Sequence, residues 1–245
     1  MNQISRHILT PLFHFYMLFM IVLFYPVQVL ARRLYGEHLR RRSVDLLNLM
    51  LIKGLHIMGT RMVFSGFENM PEDRPLIIVS NHQSMYDIPA VGWAFRQHHP
   101  KFIAKKELAQ NTFSIAYNLR HGKSALIDRK NGSQSIREIF KLGKLIENNN
   151  YAVCIFPEGT RSRTGKVGAF MSAGLETLLR AAPSALVVPF VIDGHNRLMN
   201  YGKYPLQFGT HVSYKVLPPL EPADFSSDEL TARLKELISG SLVYH

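Results

Sequence analysis

The stretch LIIVSNHQSMYD, residues 76–87, joins an apolar run to a polar cluster. The run Leu76–Ser80 has the length and apolar content of a buried strand. His82 lies two positions beyond it, and Asp87 lies five positions after His82. In open α/β sheets, functional groups lie at the carboxyl ends of the strands. The stretch therefore predicts a strand that presents an imidazole and a carboxylate at its end.

From about Gly66 onward, short apolar runs alternate with segments of helical periodicity. The predicted strands cover residues 76–80, 102–104, 125–127, 151–156, 185–192 and 211–216. The predicted helices cover residues 87–95, 133–147, 168–180 and 227–239. Such alternation is typical of an α/β domain. We therefore expect residues 66–245 to form one α/β domain, with a central mixed sheet flanked by helices.

The polar pair after the first strand has a specific chemical use. An imidazole is a suitable general base for a hydroxyl group, and Asp87 would fix the tautomer of His82 if the loop turns back at Ser84. No serine occupies the G-x-S-x-G context of an α/β-hydrolase, so the activated hydroxyl would belong to a substrate. The pair predicts direct acyl transfer to an alcohol. An incidental loop histidine, satisfied by a neighbour, is the alternative.

A second polar cluster, FPEGTRS at residues 156–162, follows another apolar run. The guanidinium of Arg161 can hold a phosphate through two parallel hydrogen bonds. Gly159 permits a sharp turn that brings backbone N–H groups to an anion, and Thr160 adds a hydroxyl donor. Glu158 would orient Arg161 or accept a hydrogen bond from a substrate hydroxyl. The alternative is a solvated surface turn with an Arg–Glu pair.

The N-terminal segment differs from the rest of the chain in composition. Residues 9–30 contain no Asp, Glu, Lys or Arg and are long enough to cross a hydrocarbon core as a helix. Five arginines follow at positions 32, 33, 40, 41 and 42, a placement that favours the cytoplasmic side and anionic headgroups. An apolar stripe then recurs at helical spacing, at Leu47, Met50, Leu51, Leu55 and Met58.

This stripe has two interpretations, an amphipathic helix in the membrane interface or a helix packed on the protein core. The N-terminal segment as a whole would form one span with an interfacial helix, or a hairpin that enters one leaflet. We expect residues 1–65 to anchor the protein to the cytoplasmic face of a membrane.

The formal net charge of +11 implies an anionic partner, which could be nucleic acid, anionic lipid or a phosphorylated substrate. The densest basic cluster adjoins the apolar segment, and no nucleic-acid-binding motif is present, so the charge is assigned to an anionic membrane surface and not to nucleic acid. The single cysteine, Cys154, excludes an internal disulfide and is expected to be a buried thiol. No metal or cofactor is implied.

Four ordered motifs resemble those of the glycerolipid acyltransferase family, whose best-known members are the 1-acyl-glycerol-3-phosphate acyltransferases. They are N-H-x4-D at residues 81–87, Lys106-Glu107-Leu108 with Asp128-Arg129, FPEGTRS at residues 156–162, and VVPFV at residues 187–191. The resemblance spans roughly Gly66 to Pro219. It implies that His82 is the base, that Asp87 is its partner, and that Glu158, Gly159 and Arg161 bind the acceptor.

The resemblance further implies that Arg129 is a second contact to the acceptor phosphate, and that the donor is an acyl thioester on acyl carrier protein or coenzyme A. Basic residues that would suit either acidic donor are Lys101, Lys105, Lys106, Lys123 and Lys130. Lysophosphatidic acid is the expected acceptor and phosphatidic acid the product, as in phospholipid biosynthesis. Thr112 and Ile115 stand where the family often has proline and glycine, so another lysophospholipid or a lyso-aminolipid remains an alternative. Two further alternatives concern the function itself: a lipid hydrolase, and a non-enzymatic lipid-surface binding protein.

Overall fold

A mixed sheet forms the centre of the protein in the computed structural model, which describes residues 3–68, 70–110, 112–162 and 164–243. Within these residues the sheet has seven strands: β1 (Arg61–Ser65), β2 (Leu76–Ser80), β3 (Lys101–Lys105), β4 (Ala125–Ile127), β5 (Ala152–Ile155), β6 (Leu186–Asp193) and β7 (His211–Val216). Their order is β1-β7-β6-β2-β5-β3-β4. All neighbouring strands are parallel except β6 and β7, which are antiparallel.

Helices cover both faces of this sheet. They are α1 (Gln3–Gly54), α2 (Asp87–Ala94), α3 (Phe113–His121), α4 (Gly132–Glu147), α5 (Ser172–Ala181), α6 (His195–Leu198) and α7 (Ser227–Gly240). Because side chains alternate along a strand, Ile77 of β2 packs with α4, α5 and α7, whereas Ile78 packs with α2 and the end of α1. Every residue of β2 is buried, which explains its continuous apolar run.

Helix α1 reverses its direction at Gly36, where the backbone has φ 76° and ψ −163°. Glycine adopts this positive φ without a steric penalty. The limbs before and after it, residues 3–35 and 37–54, lie side by side, since the Tyr16 hydroxyl donates to the Met50 carbonyl oxygen at 3.0 Å. The N-terminal segment is therefore a helical hairpin.

The two limbs of the hairpin expose different surfaces. The apolar stripe of the second limb is largely buried, with Leu47 and Leu51 packed against the first limb. The stripe thus packs inside the protein, the second of the two interpretations that the sequence allowed. The first limb carries exposed apolar side chains at Ile4, Ile8, Leu12, Phe15, Leu18, Phe19, Val22, Leu23, Val27, Leu30 and Leu34.

On length and composition, the segment Gln3–Met58 is the one helix of the described chain that could cross a membrane. Only 22% of its most apolar window is buried within the protein. This long apolar helix indicates membrane association. The role of residues 1–65 as a separate anchor stays a prediction.

The predicted α/β fold is confirmed, and each predicted strand is present to within a residue of its predicted ends. The predicted helix at residues 168–180 begins later, at Ser172, because the preceding residues lie in a loop whose Gly168 amide donates to Glu158. Strand β1 and helices α3 and α6 were not predicted. Helix α4 begins one residue before its predicted start, at Gly132, and is capped by Asn131, whose side chain accepts from the Gln134 amide.

Candidate active site

The carboxyl ends of five parallel strands meet at one edge of the sheet. Ser80, Lys105, Ile127, Ile155 and Asp193 end β2, β3, β4, β5 and β6 respectively. Each polar motif from the sequence follows one of these ends. The topology therefore gathers all the predicted site residues along a single edge, the usual position for a ligand site in an open α/β sheet.

At this edge the loop after β2 turns back on itself. The Nδ1–H of His82 donates to Oδ2 of Asp87 at 2.8 Å. The same oxygen accepts from the backbone amides of Gln83 at 2.6 Å and Ser84 at 2.9 Å, and Asp87 is fully buried. The predicted His82–Asp87 contact is thus present in the structure, with the carboxylate fixed by local backbone donors as well as by the imidazole.

Asp87 is ionised despite its burial. Burial by itself would raise the pKa of this carboxyl, but hydrogen bonds from His195 and His82 outweigh it and hold the pKa well below its usual range. Because Nδ1 of His82 carries a proton toward Asp87, Nε2 is left as the acceptor. Within the described residues Nε2 has no hydrogen-bond partner, and the ring, stacked on Phe156 at 4.3 Å, is 17% exposed. The arrangement therefore offers a basic nitrogen to a molecule at the sheet edge.

Glu158 joins the two polar clusters. Its Oε1 accepts from the backbone amide of His82 at 2.9 Å, and its Oε2 accepts from the amide of Gly168 at 2.8 Å. The amide of Ser162 in turn donates to the His82 carbonyl oxygen at 2.8 Å. Both carboxylate oxygens thus hold backbone groups, and within the described residues Glu158 forms no bond to Arg161. Its predicted contact with a substrate hydroxyl stays a prediction.

The turn that follows Glu158 is open to solvent. Gly159 has φ 65°, a conformation that favours glycine, and its amide donates to the Phe156 carbonyl oxygen at 3.0 Å. Thr160 and Arg161 are exposed. In the described part of the chain, the Arg161 guanidinium has no hydrogen-bond or ion-pair partner. Its predicted contact with an acceptor phosphate stays a prediction.

The remaining two predicted residues lie further along the same edge. Lys105 ends β3 and Arg129 follows β4, and both are exposed. Between them, Lys106 forms an ion pair with Asp128 at 2.6 Å. Since adjacent strands are roughly 4.8 Å apart, β4 lies roughly 10 Å from β5 in the pairing direction. Arg129 and Arg161 thus lie along one edge of the sheet. They follow β4 and β5 respectively, and β3 lies between these two strands.

Two residues that were not predicted, His195 and Tyr214, also contact the pair or support it. His195 begins α6 directly after β6, and its Nδ1 lies 2.5 Å from Oδ1 of Asp87. Its Nε2 lies 2.7 Å from the Tyr214 hydroxyl, and both side chains are fully buried. One signal was available, because Asp193-Gly194-His195 is a polar cluster at a predicted strand end, like the cluster that contains His82.

Asn81 fixes the relative position of β2 and β6 at this point. Its side-chain amide donates to the Ile192 carbonyl oxygen at 2.7 Å, and its side-chain oxygen accepts from the Ile192 amide at 2.9 Å. This pairing brings the loop after β6, with His195, against the loop after β2. The first residue of the N-H-x4-D motif therefore has a structural contact of its own.

The site thus combines an imidazole held by a carboxylate with an exposed turn that bears an arginine, and comparison with known proteins gives the class. The Acyltransferase family model matches residues 61–193, more than half of the chain, and the protein belongs to this family. The predicted family and the prediction of an acyltransferase enzyme are thereby confirmed.

Individual relatives agree with the family match. The chain is 26% identical over 219 residues to 1-acyl-sn-glycerol-3-phosphate acyltransferase alpha of Ovis aries, covering 89% of this chain and 72% of the relative. It is 27% identical over 236 residues to the 1-acyl-sn-glycerol-3-phosphate acyltransferase of Cocos nucifera, covering 94% and 68%. The crystal structure of the 1-acyl-sn-glycerophosphate acyltransferase PlsC from Thermotoga maritima is similar with a TM-score of 0.81 and 26% identity, covering 98% of this chain and 95% of that one.

Proposed function

We propose that this protein transfers a fatty acyl group from an acyl thioester to the free hydroxyl of 1-acyl-glycerol-3-phosphate, making phosphatidic acid. The observation that carries the proposal is the His82–Asp87 pair, whose Nε2 has no hydrogen-bond partner within the described residues. Its loop is bonded to the turn that bears the exposed Arg161, since the Ser162 amide donates to the His82 carbonyl oxygen at 2.8 Å. The names of the relatives supply the acceptor, since those proteins are 1-acyl-sn-glycerol-3-phosphate acyltransferases.

In the proposed mechanism the acceptor hydroxyl donates a hydrogen bond to Nε2 of His82. The hydroxyl oxygen attacks the thioester carbonyl carbon while its proton passes to Nε2, and ionised Asp87 stabilises the imidazolium that forms. The tetrahedral intermediate then expels the thiolate, which takes the proton back from the imidazolium. A base of this kind contributes roughly a hundred- to ten-thousand-fold in rate.

The acceptor phosphate would bind between the turn that bears Arg161 and the end of β4, where Arg129 lies. Arg161 supplies a planar pair of N–H donors that matches phosphate oxygens, and Arg129 adds a second positive charge from the end of β4. Thr160 adds a hydroxyl donor, and Gly159, whose own amide donates to Phe156, permits the turn that presents these groups. We propose that Glu158 acts chiefly by holding the backbone of His82 next to this turn, since both its oxygens already accept backbone amides.

The donor would approach the same edge of the sheet. Acyl carrier protein and coenzyme A are both acidic, and the exposed Lys105 lies at this edge, where it would attract either of them. The exposed apolar side chains of the first limb of α1 support action at a membrane. The arginines that follow this limb in the sequence favour an anionic surface and the cytoplasmic face. At this location the site would have direct access to a lysolipid acceptor. Nucleic acid is not a partner in this proposal.

A thiol-release assay tests the proposal. We expect purified protein in mixed micelles to release thiol only when both an acyl thioester and lysophosphatidic acid are present. His82→Ala should lower turnover by about a hundredfold or more because the proton acceptor is lost. The matched control is His211→Ala, which removes an exposed imidazole on β7 and should leave the rate unchanged.

Each of the other possible results of this assay would indicate a different function or acceptor. Thiol release without an acceptor would indicate a lipid hydrolase, and release only with another lysophospholipid or a lyso-aminolipid would change the acceptor. Binding to anionic vesicles without thioester consumption would indicate a lipid-surface binding protein. Unchanged turnover in His82→Ala would overturn the assignment of the base.

A further inference from the structure

Asp87 is shared between two imidazoles on opposite sides of its carboxylate. Oδ2 accepts from His82 and from two backbone amides. Oδ1 is held differently, by Nδ1 of His195 at 2.5 Å and more weakly by the hydroxyl of Ser84 at 3.3 Å. The contact with His195 joins residues 108 positions apart in the chain. One oxygen of the carboxylate is therefore fixed by local structure, and the other depends on a distant side chain.

The groups around His195 determine which of its nitrogens carries the proton. Burial, with Asp87 nearby, raises the pKa of Tyr214 well above its usual value, so its hydroxyl stays protonated and donates to Nε2 of His195 at 2.7 Å. With Nε2 accepting from Tyr214, Nδ1 carries a proton and donates to Asp87. Among the described residues, the Ser84 hydroxyl also faces this ring, 3.2 Å from Nδ1, and the Tyr86 ring lies against it with 6.5 Å between the ring centroids.

We propose that His195, held by Tyr214, is a positioning residue for the His82–Asp87 pair. It does not face the sheet edge, since its side chain is fully buried, and it acts on the reaction only through Asp87. Without its hydrogen bond, Oδ1 would be a buried oxygen with one weak donor, and the orientation of the carboxylate plane against the His82 ring would depend on the contacts of Oδ2 alone. This inference rests on the proposed role of His82 as the base.

A second effect concerns the basicity of His82. A hydrogen bond to Oδ1 withdraws negative charge from the carboxylate, which reduces its support for an imidazolium on the opposite side. Removing that donor leaves Asp87 a stronger partner for protonated His82. The acid limb of the pH profile, where kcat falls because the base becomes protonated, should then move to higher pH by roughly 0.5 to 1 unit. A residue that served only to fill the core would not produce such a shift.

The test compares two substitutions of nearly equal size and shape. His195→Asn places an amide N–H near the position of Nδ1 and keeps a donor to Asp87, whereas His195→Leu has none. We expect His195→Leu to lower kcat by roughly 10- to 100-fold, the rate equivalent of one hydrogen bond to an ionised group, and to change KM for the acceptor by less than about threefold. His195→Asn should recover most of kcat, with the acid limb back within roughly 0.3 unit of the wild type.

Two results would overturn the proposal, equal losses in the Asn and Leu variants or a Leu variant with the wild-type kcat and pH profile. Thermal unfolding of each variant shows whether it folds. If His195→Leu does not fold, Tyr214→Phe replaces it, since the Phe ring keeps the stacking on Phe64 but loses the donor to Nε2. A lower kcat with a shifted acid limb supports the proposal there, and an unchanged profile overturns it.

An NMR titration of the His82 ring separates this proposal from the proposed function, because it requires no turnover. The His82 resonance is identified by its absence in His82→Ala. If the base assignment fails but the titration midpoint of His82 rises in His195→Leu and not in His195→Asn, His195 still positions the pair. If turnover depends on His82 and the midpoint does not move, the positioning role is wrong and the proposed function stands.

Discussion

Two parts of the candidate site differ in how firmly the protein holds them. The base side, Asp87 with His82, is buried or nearly so, and five hydrogen-bond donors surround the Asp87 carboxylate. The anion side, Thr160 with Arg161, is exposed, and no partner holds the guanidinium within the described residues. The difference fits the proposed roles, because a proton acceptor must be aligned before substrate arrives, whereas a side chain that binds a lipid phosphate must stay accessible.

Asp87→Asn breaks the base side and should give the largest effect. The asparagine side chain has only one acceptor oxygen for the five donors that surround the Asp87 carboxylate. Its NH2 group would therefore face hydrogen-bond donors that it cannot accept from. The tautomer of His82 would no longer be fixed, and we expect kcat to fall by roughly 10³- to 10⁴-fold, measured by thiol release. Asp228→Asn, on the exposed first turn of α7, is the matched control and should keep the wild-type rate.

The same variant checks the ionisation of Asp87. Because the pKa of this carboxyl is lowered in the folded protein, its contribution to stability is complete above the unfolded pKa of about 4 and is lost as the pH falls through the folded value. The difference in free energy of unfolding between wild type and Asp87→Asn should therefore narrow below about pH 4. A difference that does not depend on pH would contradict an ionised Asp87.

Arg161→Lys tests the anion side with a smaller expected effect. Lysine keeps the charge but loses the planar pair of donors, so kcat/KM for lysophosphatidic acid should fall by roughly 10- to 100-fold. KM for the donor should change much less. Arg233→Lys on α7 serves as the control. Equal losses for donor and acceptor would place Arg161 outside the acceptor site.

Glu158→Gln tests the connection between the two sides. A glutamine retains one acceptor oxygen, so either the His82 amide or the Gly168 amide would face an NH2 group. We expect a loss of roughly 1–3 kcal/mol in the free energy of unfolding and about a tenfold lower kcat. Glu176→Gln, exposed on α5, is the control. An unchanged stability would mean that the two loops are held together by other contacts.

Sequence reasoning succeeded where the signal was local. Strand β2 is buried on both faces and therefore has an uninterrupted apolar run, and the capping box of Ser226 with Glu229 marks the start of α7. Strand β1 was missed because it is an edge strand with no buried residue, so no clear apolar alternation marks it. The sequence left open whether the N-terminal segment forms one span with an interfacial helix or a hairpin, and the structure places the reversal at Gly36.

The sequence by itself determined the pair His82 and Asp87, because five positions of a tight loop suffice to bring them together. It also determined that an arginine-bearing turn follows another strand, which together with the pair indicated the family. Only the tertiary structure decided that Glu158 holds the backbone of His82 across 76 positions and that His195 reaches Asp87 across 108. These contacts depend on β5 and β6 being the two neighbours of β2. Strand order is set by how the whole sheet packs between its helices, and no local pattern of residues encodes it.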